Sequence, residues 1–205
     1  DIDPLAFSGM ALTQVGYNCG ARPSIEPGEG AIVIGDGMVG QWAAQTLAYR
    51  GAHVALIGRH EDRLAKFKTS PTCHTINAKK ENWQDAVRDL FPNGAQVGVD
   101  TVGSVDAMND LMASMKRFGH LVSAGFYGTK DALPLQPPRY KELSIDLVSG
   151  WWPDRMANTL DLIAQGHLDT LSLITHHFPV SQAADAWALI ESKSEPVLGV
   201  ILDWS

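Results

Sequence analysis

Ala31-Ile32-Val33-Ile34-Gly35-Asp36-Gly37-Met38-Val39-Gly40 is the stretch on which the fold turns. Four consecutive apolar residues read as a fully buried strand. The glycines after them open an amphipathic helix over about 38–50, with Trp42, Ala43, Thr46 and Leu47 on one face. With 19 glycines in the chain, a G-x-G-x-x-G pattern alone would carry little, and its place between strand and helix is what gives it weight. In that setting Gly35 permits a tight turn, Gly37 lets a pyrophosphate approach the backbone, and Gly40 lets the helix pack against the strand. The anion would meet unpaired N–H groups at the positive end of the helix dipole. The alternative is a strand-to-helix turn that binds nothing.

Outward from this turn, short β-rich runs alternate with helical stretches. Strands are read at 53–57, 72–76, 97–100, 120–124 and 143–148, and helices at 61–68, 81–91 and 106–117. Gly51 caps the first helix, Pro92-Asn93-Gly94 stops another, and a loop with Pro134, Pro137 and Pro138 precedes the sixth strand. This content predicts an α/β fold, a doubly wound six-stranded parallel Rossmann sheet ordered 3-2-1-4-5-6 with helices on both faces. The organisation expected is a linking helix over 1–24, the dinucleotide-binding domain over 25–152, and a further segment over 153–205. That segment reads as helices at 153–165 and 182–192, an extended piece at 174–178, and a last strand at 197–202 with nothing in the dinucleotide-binding domain to pair with.

The second strand bears on cofactor choice. An NAD-selective site places an acidic residue about 20 residues beyond the glycines, on the ribose hydroxyls. Here the strand ends Ile57-Gly58-Arg59-His60, so Gly58 leaves space for a 2′-phosphate and Arg59 offers a fork of donors, with Arg63 four residues on. NADP(H) is therefore expected over NAD(H), with Arg59, His60 and Arg63 as contacts.

Composition excludes several other classes. The 205 residues are 45% apolar and 19% charged, with a net charge of −7, which fits one globular domain with chain to spare and argues against a nucleic-acid surface. No apolar run nears the roughly 20 residues that span a bilayer, and the acidic opening Asp1-Ile2-Asp3-Pro4 is unlike a signal peptide, so no membrane partner and a cytoplasmic location are expected. Cys19 and Cys73 lack zinc-site spacing and read as buried, reduced thiols. His74, His120 and His167 stand singly and His176-His177 are adjacent, so no metal is expected in this chain.

Taken together, Pro27-Gly28, Gly35 to Gly40, Gly51-Ala52, Asp100-Thr101-Val102-Gly103, Gly119-His120-Leu121-Val122 and Leu173-Ile174-Thr175-His176 resemble the medium-chain dehydrogenase/reductase superfamily. That group includes zinc-dependent alcohol dehydrogenases and zinc-free quinone reductases. The resemblance implies a cofactor domain reaching about Gly150 and then a return segment that completes a catalytic domain, whose β-rich first part is missing from this chain. A zinc-dependent member's third ligand would fall near Met10, whose thioether is a poor zinc ligand. It further implies that Thr101-Val102-Gly103 passes near the adenosine side and the nicotinamide ribose. Ala124-Gly125-Phe126 would lie against the nicotinamide, and Ser149-Gly150-Trp151 would offer backbone groups to the carboxamide. A basic residue that often contacts the cofactor near the chain end is replaced by Val197-Leu198-Gly199-Val200.

A narrower likeness joins Ala124 to Tyr127, Pro137-Pro138, Trp152-Pro153, Leu173 to His176 and Leu202-Asp203-Trp204 to the bacteriochlorophyllide dehydrogenase branch, which oxidises a hydroxyethyl group on a chlorin ring. Phe126, Trp151 and Trp152 could line a pocket for a large aromatic substrate. The function implied is the NADP(H)-binding portion of an alcohol dehydrogenase or reductase acting on a small-molecule alcohol or carbonyl compound. The alternative is a stand-alone dinucleotide sensor without catalysis. No catalytic residue is assigned, although Tyr127 and His176 have the right chemistry. By analogy a homodimer forms through the sheet edge near Ala132 to Gln136.

Overall fold

Alternation along the strands decides which helices cover which face of the sheet. In the computed structural model, which describes residues 2–130, 132–149 and 152–204, β1 (Gly30–Ile34), β2 (His53–Gly58), β3 (Cys73–Asn77), β4 (Ala95–Asp100), β5 (Met115–Ser123) and β6 (Ser144–Leu147) form one sheet. The order is β3-β2-β1-β4-β5-β6 and every pairing is parallel, as the sequence predicts. Successive side chains of a strand point to opposite faces. Ala31, Val33, Val54 and Leu56 accordingly join Ala43, Ala44 and Leu47 of α2 (Met38–Tyr49) in one buried cluster. Ile32, Ala55 and Ile57 join Val87 of α4 (Trp83–Leu90) and Met108 and Leu111 of α5 (Val105–Ser114) in another.

Helix α2 is buried on more than the one face read from its spacing. Ala43 and Leu47 face the sheet, but Trp42 turns away from it and centres a third cluster with Leu162, Ile163, Leu168 and Leu173. The Trp42 indole Nε1 donates to the Asp169 carbonyl at 3.1 Å, which ties the C-terminal segment to the helix. Helix α1 (Met10–Ala21) crosses α2 closely, because a Cβ on Gly20 would lie 2.6 Å from that of Thr46. Arg50 then donates to the carbonyls of Gly20 and Pro23 beyond the crossing, at 2.7 and 2.8 Å.

The structure corrects several element boundaries. The helix read at 61–68 is the single turn α3 (Glu61–Leu64). Helix α5 ends at Ser114 rather than near 117, because Met115 already pairs with Ala95 as the first residue of β5 and is buried in the second cluster. A register shift follows between Ala95 and Val97, and Phe118 takes up φ 63° there. The proline loop contains a short helix, α6 (Gln136–Tyr140), whose early prolines suit a helix start where no N–H partner is needed.

After α7 (Pro153–Ala164) the chain forms a second, two-stranded parallel sheet from β7 (Ile174–Pro179) and β8 (Gly199–Asp203), joined through α8 (Ala183–Ser192). The last strand thus has a partner, and it is β7. Both cysteines are buried and unpaired, with the Cys19 thiol pushed up to about 12 by burial. Among the described residues no helix is long and apolar enough to cross a membrane.

Candidate functional site

Strand order reverses between β1 and β4, and open α/β sheets bind ligands at the carboxyl ends of strands beside such a reversal. The glycine turn lies there. A Cβ on Gly35, which has φ +118°, would sit 2.2 Å from Thr101 Oγ1, and one on Gly40 would sit 1.8 Å from the Gly35 carbonyl oxygen. Only hydrogen fits at either position, so these two glycines serve the packing of turn, helix and β4.

Gly37 differs from both. Its φ of −73° and ψ of 176° are open to any residue, yet a Cβ there would meet no atom within 4 Å. It is the N-cap of α2, and no side chain caps that helix start. An uncapped twelve-residue helix facing open space offers N–H donors and a positive dipole end to an anion. Met38 and Val39, which follow, are half-buried against the third and first clusters.

The residue that sequence reasoning passed over is Asp36. It is 5% exposed, and its Oδ2 accepts from the backbone N–H groups of Arg59 and His60 at 2.7 and 2.8 Å. The His60 ring Nδ1 lies 3.1 Å from the same carboxylate, and Arg63 Nη1 3.7 Å away. A Cβ on Gly58 would come within 2.3 Å of Asp36 Oδ2. The space expected at Gly58 is therefore filled: a carboxylate does reach the end of β2, delivered from the glycine turn instead of from the strand. Burial alone would raise this carboxyl, but the two N–H groups and the His60 ring outweigh it and hold it below the usual carboxylate range.

The three basic residues of this corner have different surroundings. Arg63 is turned inward, donating from Nη2 to the Val197 carbonyl at 2.9 Å while its own carbonyl accepts from Gln41 Nε2 at 2.7 Å. His60 is half-exposed above Asp36. Arg59 is exposed, and its guanidinium has no protein partner among the described residues.

Asp100 organises the neighbouring loops. It is fully buried and accepts from the N–H groups of Val102 and Gly103 at 3.1 and 2.9 Å, and from the Tyr127 hydroxyl. Its carbonyl accepts from Ala124 and Gly125 N–H at 2.9 and 3.1 Å. Thr101 Oγ1 donates to the Ile34 carbonyl at 2.9 Å, so the ends of β1, β4 and β5 are stitched together. The loops meet so closely that a Cβ on Gly125 would lie 2.0 Å from Gly103 N. Burial first, and then the Asp100 carboxylate that accepts from its hydroxyl, push the Tyr127 phenol up.

Phe126, by contrast, is 88% exposed, and Val102 and Trp152 are exposed as well. The Ser149 carbonyl accepts from Arg155 Nη1 at 2.9 Å, and Trp152 N donates to Gln14 Oε1 at 3.0 Å. Gly150 and Trp151 lie outside the described residues. His176 belongs to the second sheet, held by Thr175 Oγ1 at 2.8 Å and Glu195 at 3.3 Å. No three His, Cys, Asp or Glu side chains converge as metal ligands among the described residues, and Met10 packs against the third cluster.

Comparison with known proteins agrees with this geometry. Residues 38–165 match the family model described as zinc-binding dehydrogenase. The chain is 28% identical to sorbitol dehydrogenase of Bacillus subtilis over 193 residues, covering 90% of this chain and 54% of that enzyme. It is 35% identical to 2-desacetyl-2-hydroxyethyl bacteriochlorophyllide A dehydrogenase of Cereibacter sphaeroides over 105 residues, 51% of this chain and 33% of the relative. A crystal structure of an alcohol dehydrogenase from Escherichia coli CFT073, complexed with the cofactor NADH, superposes with a TM-score of 0.86 at 20% identity, over 99% of this chain and 60% of that one. The chain thus spans about half the length of the sorbitol dehydrogenase it resembles along most of its own. With the family model matching well over half of its residues, the chain belongs to the zinc-binding dehydrogenase family, within the medium-chain dehydrogenase/reductase superfamily.

Proposed function

We propose that this chain is the NADP(H)-binding portion of an oxidoreductase that transfers a hydride between nicotinamide and an alcohol or carbonyl substrate. The observation that carries the reading is the empty space before Gly37, at the uncapped start of α2, where a Cβ would meet nothing. A bound dinucleotide supplies the hydride-transferring ring, and the chain supplies grip, orientation and electrostatics. The N–H groups of Gly37 to Gly40 hold the pyrophosphate. In this reading Thr101-Val102-Gly103 passes near the adenosine side and the nicotinamide ribose, Ala124-Gly125-Phe126 lies against the nicotinamide, and Ser149-Gly150-Trp151 offers backbone groups to the carboxamide. Residues 1–24 serve as a linking helix, 25–152 as the dinucleotide domain and 153–205 as a return segment of a catalytic domain.

NADP(H) is preferred because Arg59, exposed just beyond the end of β2, carries a guanidinium that no protein group engages among the described residues. Substituting Arg59→Ala should remove charge-assisted bonds to a 2′-phosphate worth about 1.5–3 kcal/mol. Calorimetry should then read a roughly ten- to hundredfold weaker NADPH affinity with NADH unaffected. Equal losses for both cofactors, or tighter NADH than NADPH binding by the parent chain, would overturn the preference.

The exposed rings of Phe126 and Trp152 suit a large, flat substrate, in keeping with the chlorin substrate named for the Cereibacter relative. A homodimer through the β6 edge is the proposed assembly. Among the described residues strand β6 has no neighbour on its outer side, and Leu135, Tyr140, Ile145 and Leu147 are exposed beside it. Sedimentation should find a dimer that Leu147→Lys converts to monomer, and a monomeric parent chain would refute this arrangement.

A further inference from the structure

Gln14 lies in the middle of α1 and is only 1% exposed. The Trp152 N–H donates to its Oε1 at 3.0 Å, a bond that spans 138 residues of sequence. Only the oxygen of an amide accepts, so this bond fixes which way the side-chain amide points. Its Nε2 is buried with no hydrogen-bond partner among the described residues. Burying an amide and satisfying half of it is destabilising, and a leucine or methionine of similar volume would fill the same space without that penalty. What glutamine adds is the oxygen, and with it a hold on the backbone at residue 152.

Both ends of that hold are rigid. The Val148 N–H donates to the Ser123 carbonyl at 3.2 Å, and the Ser149 carbonyl accepts from Arg155 Nη1 at 2.9 Å. Trp152 is the N-cap of α7, and its carbonyl accepts from the Met156 N–H at 3.1 Å. The chain after β6 is therefore tied on either side of positions 150 and 151, with Gln14 as the tie on the carboxyl side. Helix α1 in turn rests directly on α2, because a Cβ on Gly16 would lie 2.6 Å from that of Trp42. Helix α2 starts at the glycine turn, where the pyrophosphate is proposed to sit. The Trp152 ring is exposed, so it is the backbone that this contact holds.

We propose that Gln14 is a positioning residue for the nicotinamide half of the cofactor. By holding the Trp152 N–H it sets the place of the chain after β6, from which backbone groups are proposed to meet the carboxamide. The inference rests on the dinucleotide reading and adds to it a residue from the linking helix. A backbone that offers hydrogen bonds to a ligand binds best when it is already ordered, since binding otherwise has to supply that ordering. The 2′-phosphate end of the cofactor is proposed to lie at Arg59, beyond β2, so Gln14 should act on one half of the ligand alone.

The test titrates the chain by calorimetry with NADPH and with 2′-phospho-ADP-ribose, which is the same dinucleotide without its nicotinamide. The parent chain should bind NADPH more tightly. Gln14→Met should weaken NADPH binding about three- to tenfold, the worth of one hydrogen bond, and leave 2′-phospho-ADP-ribose unchanged. Gln14→Glu, which keeps an acceptor oxygen at the same reach, should restore NADPH affinity. Equal losses for the two ligands would mark Gln14 as merely structural and overturn the proposal, as would no loss for either. A parent chain that binds both ligands equally would overturn it while leaving the dinucleotide reading intact, and one that binds neither would sink both. If Gln14→Met does not fold, exchange of the Trp152 amide hydrogen in the parent chain decides. NADPH should slow that exchange more than 2′-phospho-ADP-ribose does, and equal slowing would refute the role.

Discussion

Gly37→Asp is expected to abolish dinucleotide binding, weakening it at least about a hundredfold, while leaving the chain as stable as before or up to about 1 kcal/mol more stable. The two effects separate because of where Gly37 lies. Its extended backbone is that of an ordinary N-cap, and aspartate is among the best residues there, accepting from N–H groups two and three residues on. A new side chain meets no atom within 4 Å, so it fits without strain. The carboxylate would occupy the space proposed for the pyrophosphate and consume its donors, adding charge repulsion to steric exclusion. Thermal unfolding and calorimetry with NADPH measure the two halves independently. A variant of unchanged stability that still binds NADPH normally would show that the phosphates lie elsewhere. The contrasting substitution at Gly40, where a Cβ would lie 1.8 Å from a carbonyl oxygen, should fail by unfolding instead.

Asp36→Ala should cost about 2–4 kcal/mol of stability, the worth of a buried charged acceptor serving two backbone donors and a ring nitrogen. Asp36→Asn should cost less at neutral pH, since an amide oxygen keeps one acceptor in place. The pH dependence follows from the direction of the shift. A carboxyl held below its unfolded value of about 3.9 contributes its full stabilisation above that value and loses it as pH falls through the folded one. The stability gap between the parent chain and Asp36→Asn should thus narrow as pH falls below about 4. Urea unfolding below that pH checks it, and a gap that stays constant or widens there would contradict the assignment. NADPH affinity should fall in both variants, because Asp36 fixes the backbone from which Arg59 projects.

The sheet was legible because its evidence is local. Ala31 to Ile34 and Val54 to Ile57 are unbroken apolar runs each ended by a glycine, and a parallel strand buried on both faces has no other pattern to show. The failures occur where tertiary contacts override local preference. Met115 has good helix propensity, yet the core captures it and begins β5 five residues before the strand read at 120–124. Prolines that read as a loop instead start α6. In the site, the glycines were readable from spacing, while Asp36 sits at a position the motif leaves unspecified. Its partners are 23 and 24 residues away in sequence, and only the fold brings them within bonding distance. The sequence reads Arg63 as an auxiliary to Arg59, and what sets it apart is the Val197 carbonyl that engages its guanidinium.

The origin of the carboxylate at the end of β2 has a consequence for anyone retooling this scaffold to run on a different reducing equivalent. In a design where strand and turn act separately, an engineer can exchange the acidic residue on the strand and leave the glycine turn alone. Here any side chain added at Gly58 collides with Asp36, so the two positions form a single module that must be swapped as a pair, with the turn truncated when the strand gains its acid. Single-site libraries at Gly58 would return mostly destabilised clones, and a screen built on them would report the scaffold as intolerant when only its wiring is unusual.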